Sequence, residues 1–182
     1  MDDIVRQALA KWPNVPNCFG WLGLDQRGNW YLRDDGVQSH GAFCGGMSPA
    51  KGSLLRHAKL IDFIGRNYES DAQGQWFFQN GPQRVYVELE ATPWILRVAS
   101  DFSVTTHTDE AARVQRCLVD GAGKLYLDLD IGLGLVHSQD MLNASEAIES
   151  GLWVPLACSA QELPGRFAFV KSPQALNGAL KN

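Results

Sequence analysis

One short pattern occurs three times in the chain, and it constrains the fold more than any other feature of the sequence. The stretches DQRGNWY, DAQGQWF and DGAGKLY begin at Asp25, Asp71 and Asp120. Each has an Asp, two residues, a Gly, one residue, a large apolar residue and an aromatic residue. Asp favours turns because its side chain hydrogen-bonds nearby backbone, and Gly tolerates positive φ angles. The pattern therefore predicts three strand–turn–strand hairpins.

The three copies follow one another at similar intervals, while the remaining sequence shows no further self-similarity. This spacing favours hairpins in related positions of two half-domains. An alternative is that Asp-x-x-Gly is simply common turn chemistry. The recurring aromatic residue favours duplication, since a large ring after the turn would anchor the edge of a core. We therefore predict an α+β fold of mainly antiparallel β hairpins with two or three helices and an internally duplicated core.

Turn signals and periodicity divide the chain into two predicted halves. The N-terminal half, residues 1–98, contains the first hairpin and three further segments: a Gly- and Ser-rich loop over 34–53, a helix over 54–68 that Ser53 caps, and a hairpin over 75–90 around an Asn-Gly turn. The C-terminal half, residues 99–182, is rich in strands and has a helix over 140–150 with Asp140 as N-cap.

Composition excludes several classes of protein. The net charge of -4 and the pI near 5.5 indicate binding neither to nucleic acid nor to an anionic membrane. The apolar runs are too short to span a bilayer, and the acidic N-terminus is unlike a secretion signal, so we expect a cytoplasmic protein. The four cysteines are widely scattered, which predicts free thiols and neither a metal site nor a cofactor.

The central hairpin carries the densest set of candidate binding residues. Gln79 and Asn80 supply neutral donors and acceptors, and Arg84 supplies a planar cation that pairs with phosphate or carboxylate. Tyr86 and Trp94 offer aromatic faces on which a planar group can stack. These five residues predict a ligand-binding site. The alternative is an exposed turn with scattered polar residues.

Three weaker patterns stay open beside this site. Lys51 and Ser53, near a predicted helix start, could hold an anion. His107 is followed by Asp109 in a Thr-rich segment, and a general base needs such a carboxylate to orient it, so a small hydrolase is an alternative. A module that forms a homodimer or binds a protein partner through an apolar patch or an edge strand is the other alternative.

The middle of the chain resembles two families. The stretch WFFQNGPQRVYV resembles a bacterial family that is known only as a domain of unknown function. Residues 19–150 also resemble, in patches, a second family of unknown function: Arg84, Glu90 and the Pro93-Trp94 pair match its basic, acidic and Pro-Phe positions, while Ala91 replaces an acid. The second resemblance implies a duplicated core, a C-terminal half like a pleckstrin-homology domain, a cleft between the halves for a nucleotide-like ligand, and a role in signalling.

Together these observations predict a non-catalytic α+β protein that binds a small, nucleotide-like ligand or a protein partner between its two halves. Arg84 would hold the anionic group of the ligand. Gln79 and Asn80 would hydrogen-bond it, and Trp94 or Tyr86 would stack on it.

Overall fold

The computed structural model describes residues 1–45 and 48–179, and the strands of this part of the chain form two sheets in two units. The first unit consists of Met1–Asp25, Asn29–Glu90 and the segment from Phe169. The second unit consists of Gln26–Gly28 and Ala91–Ala168. These boundaries differ from the predicted halves 1–98 and 99–182, because the strand after Ala91 pairs in the second sheet and the chain after Phe169 returns to the first.

The sheet of the first unit has the order β3-β2-β1-β6-β5-β4. Its strands are β1 (Cys18–Leu24), β2 (Trp30–Leu32), β3 (Ser53–Leu54), β4 (Tyr68–Ser70), β5 (Trp76–Asn80) and β6 (Gln83–Leu89). The pairing of β5 with β6 confirms the predicted hairpin over 75–90, whose turn contains Gly81 at a φ angle of 56°. Branched and aromatic residues fill the core of this unit, among them Leu22, Ile64, Phe77, Val87 and Leu89.

The sheet of the second unit has the order β13-β10-β11-β12-β7-β8-β9. Its strands are β7 (Trp94–Val98), β8 (Val104–Thr106), β9 (Ala111–Ala112), β10 (Val114–Asp120), β11 (Leu125–Leu129), β12 (Gly132–Val136) and β13 (Pro155–Cys158). The core of this unit includes Ile95, Leu96, Leu118, Leu127 and Leu133, each at most 1% exposed.

Both sheets repeat one arrangement, and this arrangement is what a duplicated core requires. Each sheet contains two antiparallel three-stranded meanders. In each, the first strand of the first meander pairs in parallel with the last strand of the second: β1 with β6, and β7 with β12. The strand β13 then extends the second sheet beside β10. The second and third copies of the repeated pattern form the same turn of the second meander in their own units.

Seven helices lie in the described part of the chain, more than the two or three predicted, because four of them have only four to seven residues and leave no periodic pattern. The helices are α1 (Asp3–Lys11), α2 (Asp35–Ser39), α3 (Ser48–Lys51), α4 (Ala58–Arg66), α5 (Met141–Glu149), α6 (Leu163–Arg166) and α7 (Pro173–Ala179). Two of the short helices, α2 and α3, interrupt the predicted loop 34–53. Gly46 and Met47 of that loop, and residues 180–182 of the predicted second half, lie outside the described residues.

Two helix starts differ from the sequence-based predictions. The helix predicted over 54–68 begins only at Ala58, because Ser53 and the next residue pair with β2 as a short strand. His57 caps it instead, accepting a hydrogen bond from the Leu60 N–H at 3.2 Å. The helix predicted over 140–150 spans α5, but the Asp140 carboxylate makes no capping hydrogen bond because Arg97 and the Val98 amide engage it.

The carboxylate of each repeated Asp organises its own turn. Asp120 accepts hydrogen bonds from the backbone N–H groups of Ala122 and Lys124, both at 2.9 Å. Asp71 accepts from the amides two and four residues further on at 3.0 and 2.9 Å, and Asp25 accepts from the amide four residues on at 2.8 Å. The glycine of every copy has a φ angle between 76° and 80°. The three predicted hairpins are therefore confirmed, with Asp and Gly in the expected structural roles.

The aromatic residue of the pattern has a role that the sequence did not reveal. In the third copy, the hydroxyl of Tyr126 donates to the second carboxylate oxygen of the repeated Asp at 2.9 Å. In the first copy, burial and the charge of the nearby Asp25 carboxylate raise the pKa of the corresponding Tyr31. The second copy has Phe77, and Tyr86, which lies opposite it on β6, donates to the Asp at 3.1 Å. In the second and third copies the Asp thus joins its turn to a phenol, and in the first copy a phenol lies near the Asp.

Candidate functional site

A concave pocket of about 550 Å³ lies in the first unit. Strands β1, β2, β5 and β6 form its floor, and α2 and α4 contribute to its walls. Period-two alternation on β5 and β6 directs Phe78, Asn80, Gln83 and Val85 to the same face, since alternate residues of a strand share a face. Apolar side chains dominate the lining, among them Leu22, Leu32, Leu60, Ile64, Phe78 and Val85.

Two apolar residues of this pocket are unusually open to solvent. Trp21 is 42% exposed and Leu32 is 45% exposed. The polar residues of the lining include Asp34, Ser53, Asn80 and Gln83. An apolar floor with few polar groups is the usual composition of a small-molecule site.

The two charged side chains of the lining, Arg33 and Asp34, differ in the groups that they present to a ligand. Arg33 is fully buried, and its guanidinium donates to the backbone carbonyls of Ala50, Gly41 and Gly20 at 2.8, 2.6 and 3.1 Å. Burial lowers the pKa of Arg33. Its stem therefore forms pocket wall while its donors bind the protein itself. Asp34 is exposed, and one of its oxygens accepts from the Val37 N–H as the N-cap of α2.

The five predicted ligand-binding residues do not form one site. Asn80 lines the pocket, whereas Gln79 and Arg84 lie opposite each other on the other face of the β5–β6 hairpin. Gln79 is fully buried and donates to the Gly81 carbonyl at 2.9 Å. Arg84 lies over the Phe77 ring, with 4.4 Å between the guanidinium carbon and the ring centroid. Alternation along the strands separates these side chains, and the sequence had grouped them by proximity in the chain.

The two aromatic members of the predicted set are also committed to protein contacts. Tyr86 stacks on Phe19 with ring centroids 4.6 Å apart and donates its hydroxyl to Asp71. Burial, together with that carboxylate, raises the pKa of Tyr86. Trp94 belongs to the second unit, where its indole N–H donates to the Ile131 carbonyl at 2.9 Å.

The weaker candidates are placed as follows. Lys51 lies 3.0 Å from a Glu90 oxygen and 3.8 Å from an Asp25 oxygen, so two carboxylates already surround the cation that was predicted to hold an anion. Ser53 lies on β3 and lines the pocket. The Nδ1 atom of His107 accepts from the Ile95 N–H at 3.3 Å.

Asp109, the predicted carboxylate partner of His107, has a different role. It occupies a turn at a φ angle of 61°, and its backbone N–H donates to the Thr106 carbonyl at 3.0 Å. Its carboxylate makes no hydrogen bond or ion pair with any residue in the described part of the chain. The geometry therefore does not join this carboxylate to His107.

Sequence analysis missed the buried charged groups of both units. In the first unit Glu88 is 1% exposed and accepts from the Gln174 amide at 2.9 Å, and burial raises its pKa. In the second unit Arg97 pairs with Asp140 at 2.6 and 3.0 Å. A charged residue on a strand is usually expected to face solvent, and no local pattern showed that α7 would cover Glu88 or that Arg97 would reach the buried Asp140.

No helix within residues 1–45 and 48–179 is both long and apolar enough to cross a bilayer. In the same residues, no group of three or more His, Cys, Asp or Glu side chains is placed to hold a metal ion.

Comparison with known proteins places the chain in a family without an established function. No curated protein matches it. A DUF1285 family protein from Silicibacter pomeroyi DSS-3 has 12% sequence identity over 80% of this chain and 84% of that chain, with a TM-score of 0.48. A DUF1285 family protein from Shewanella baltica OS155 has 15% identity over 69% of this chain and 91% of that chain, with a TM-score of 0.45. The family DUF2944, described as "Protein of unknown function (DUF2946)", matches residues 1–174, and the chain belongs to this family, as the resemblance to a domain of unknown function predicted.

Proposed function

We propose that the protein is a non-catalytic binding protein for a small molecule with an apolar body, held in the 550 Å³ pocket of the first unit. The observation that carries this proposal is that two large apolar side chains of the lining, Trp21 and Leu32, are exposed to solvent in a mainly apolar pocket. Exposed apolar surface in a concave site is stabilised when a ligand removes it from water. Such a protein would act as a regulator that responds to its ligand.

The charges of the lining select among ligands. The donors of Arg33 are directed to backbone carbonyls, so this cation offers little to an incoming phosphate. Asp34 contributes an exposed carboxylate at the pocket. A neutral or cationic ligand therefore suits this pocket better than an anionic one, because an anion would approach the exposed Asp34 carboxylate while the donors of Arg33 are already bound to backbone carbonyls.

The nucleotide-like ligand predicted from the sequence fits this pocket less well. Arg84, which was expected to hold the phosphate, lies on the opposite face of the hairpin from Asn80. Nucleotides are therefore included in the test as ligands that we expect not to bind this pocket.

The proposal is tested with a thermal-shift screen of neutral, cationic and anionic aromatic fragments, together with nucleotides. A ligand that binds only the folded state raises its stability, so neutral and cationic fragments should shift the transition upward and nucleotides should not. Protection of Cys18, which lines the pocket, from alkylation provides a second readout that peptide mass mapping can assign.

A matched pair of variants places the binding. Leu32→Lys puts a charge on the pocket wall and should abolish both the thermal shift and the protection of Cys18. Leu54→Lys, on the neighbouring strand and 40% exposed, makes the same change outside the lining and should leave both unchanged. The proposal fails if no fragment binds, or if fragments bind Leu32→Lys as tightly as the unaltered protein.

A further inference from the structure

A second pocket, of about 330 Å³, lies in the second unit and is built from two copies of the repeated turn. The tip of the first copy, Gln26–Gly28, contributes Gln26 and Arg27. The tip of the third copy contributes Gly123 and Lys124. The Lys124 ammonium donates to the Gln26 side-chain oxygen at 3.0 Å, so a hydrogen bond joins the two tips.

The lining of this pocket combines buried apolar residues, which we call its floor, with exposed polar residues. Leu125, Leu135 and Val136 are buried at the floor, between 3% and 4% exposed. Ser138 is an exposed lining residue with a hydroxyl that can donate a hydrogen bond. A ligand would thus meet both apolar surface and hydrogen-bond donors in this pocket.

The charged side chains that line this second pocket are both cations. Arg27 and Lys124 are both exposed at it, and its described lining residues include no Asp or Glu. The carboxylate of the third copy, Asp120, accepts hydrogen bonds within its own turn, from two backbone amides and the Tyr126 hydroxyl. Two cations beside a low-dielectric floor focus a positive potential on the space between them.

We propose that this pocket binds an organic anion, a carboxylate or a phosphate monoester carried on an apolar body. Arg27 and Lys124 would hold the anionic group, Ser138 would hydrogen-bond it, and the apolar body would cover the leucines of the floor. The proposal is independent of the one for the first unit, since it concerns other residues and a ligand of opposite charge. It also gives the repeated turns a role beyond folding.

The test is a pair of NMR titrations of the full ¹⁵N-labelled chain, one with phenyl phosphate and one with benzoate. Saturable shifts should appear at the amides of Gly123, Lys124 and Ser138. If both probes bind, the pocket accepts either anion; if only phenyl phosphate binds, the site is selective for a phosphate monoester. Both results support the proposal. Added salt should weaken binding, because counterions screen exposed charges.

Charge-removing variants identify the groups that hold the anion. Arg27→Gln and Lys124→Gln should each weaken binding by about fivefold, the upper end for an exposed charge pair. Arg113→Gln is the matched control, because the Arg113 side chain is 93% exposed in the same unit and does not line the pocket. The proposal is overturned if neither probe shifts the three amides, or if the control variant weakens binding as much as the other two.

Discussion

The hydrogen bond between Tyr126 and Asp120 allows a quantitative test of why the repeated pattern pairs an Asp with an aromatic residue. The Tyr126 ring is 4% exposed, and its hydroxyl donates to the Asp120 carboxylate at 2.9 Å. The same carboxylate accepts two amide hydrogen bonds at the exposed turn. Desolvation acts to raise the pKa of Asp120, but the hydrogen bonds outweigh it and the pKa is lowered. The folded state therefore favours the ionised carboxylate.

The magnitude follows from what each group keeps when its partner is removed. In Asp120→Ala, each of the two amides at the exposed turn exchanges its carboxylate acceptor for water, which costs about 0.5 kcal/mol of stability per amide. The buried phenol loses a charged acceptor that water does not replace, which costs about 2 kcal/mol. The total loss in the free energy of unfolding is about 3 kcal/mol. Tyr126→Phe removes only the phenol bond and should cost about 1.5 kcal/mol, because water can still solvate Asp120. Asp120→Asn keeps an acceptor in place and should lose less than Asp120→Ala.

The assay is urea unfolding of the single and double variants, combined with hydrogen exchange of the peptide over residues 114–136. The exchange data restrict the readout to β10, β11 and β12, in case the two units unfold separately. A double-mutant cycle should give a coupling energy of about 2 kcal/mol, because Asp120→Ala loses only the two amide hydrogen bonds once the phenol has been removed. Losses that are additive to within about 0.3 kcal/mol would refute the assignment of the phenol bond as the reason for the pattern.

Three further changes test the packing and the buried charges. Gly134→Ala should destabilise the second unit by about 1–3 kcal/mol in urea unfolding, because a Cβ there would lie 2.5 Å from the Leu96 side chain. Gly121→Ala is the control: its Cβ would meet open space, so stability should change by less than about 0.5 kcal/mol. Asp140→Asn should lower the free energy of unfolding by about 2 kcal/mol, since it removes the charge that Arg97 binds at 2.6 Å. A loss no larger than that of the control Gly121→Ala would contradict this prediction. The hydrogen bond from Arg97 also lowers the pKa of Asp140. The ionised carboxylate therefore contributes fully to the free energy of unfolding above the ordinary carboxyl pKa of 3.8, and this contribution is lost as the pH falls through the lower pKa of the folded state. In Asp140→Asn, the fall in stability at acid pH should accordingly be less steep.

Local chemistry made the hairpins predictable. The Asp-x-x-Gly turns and the Asn-Gly turn have sequence signals that act within a few residues, and the structure has a hairpin at each of them. The start of α4 was not predictable in the same way. Ser53 has the side chain of a good N-cap, but strand pairing with β2 takes it out of the helix. A long-range hydrogen-bonded pair thus overrides a local preference.

The binding site depended even more on distant contacts. Asn80 and Arg84 are close in sequence, and only the pairing of β5 with β6 shows that they lie on different faces. The apolar pocket combines β1 and β2 with α4, segments that no local pattern connects. The second pocket likewise joins two turn tips, Gln26–Gly28 and the turn at Lys124, that are far apart in the chain.

The sequence by itself determined where the chain turns, which class of fold it forms and that two parts of it are built alike. Each of these depends on backbone preferences and on periodicity, which are properties of neighbouring residues. Only the tertiary structure decided which strands pair in parallel, which charges are buried and which side chains share a pocket. These features depend on contacts between residues far apart in the chain, and the free energy of such contacts exists only once the sheets have formed.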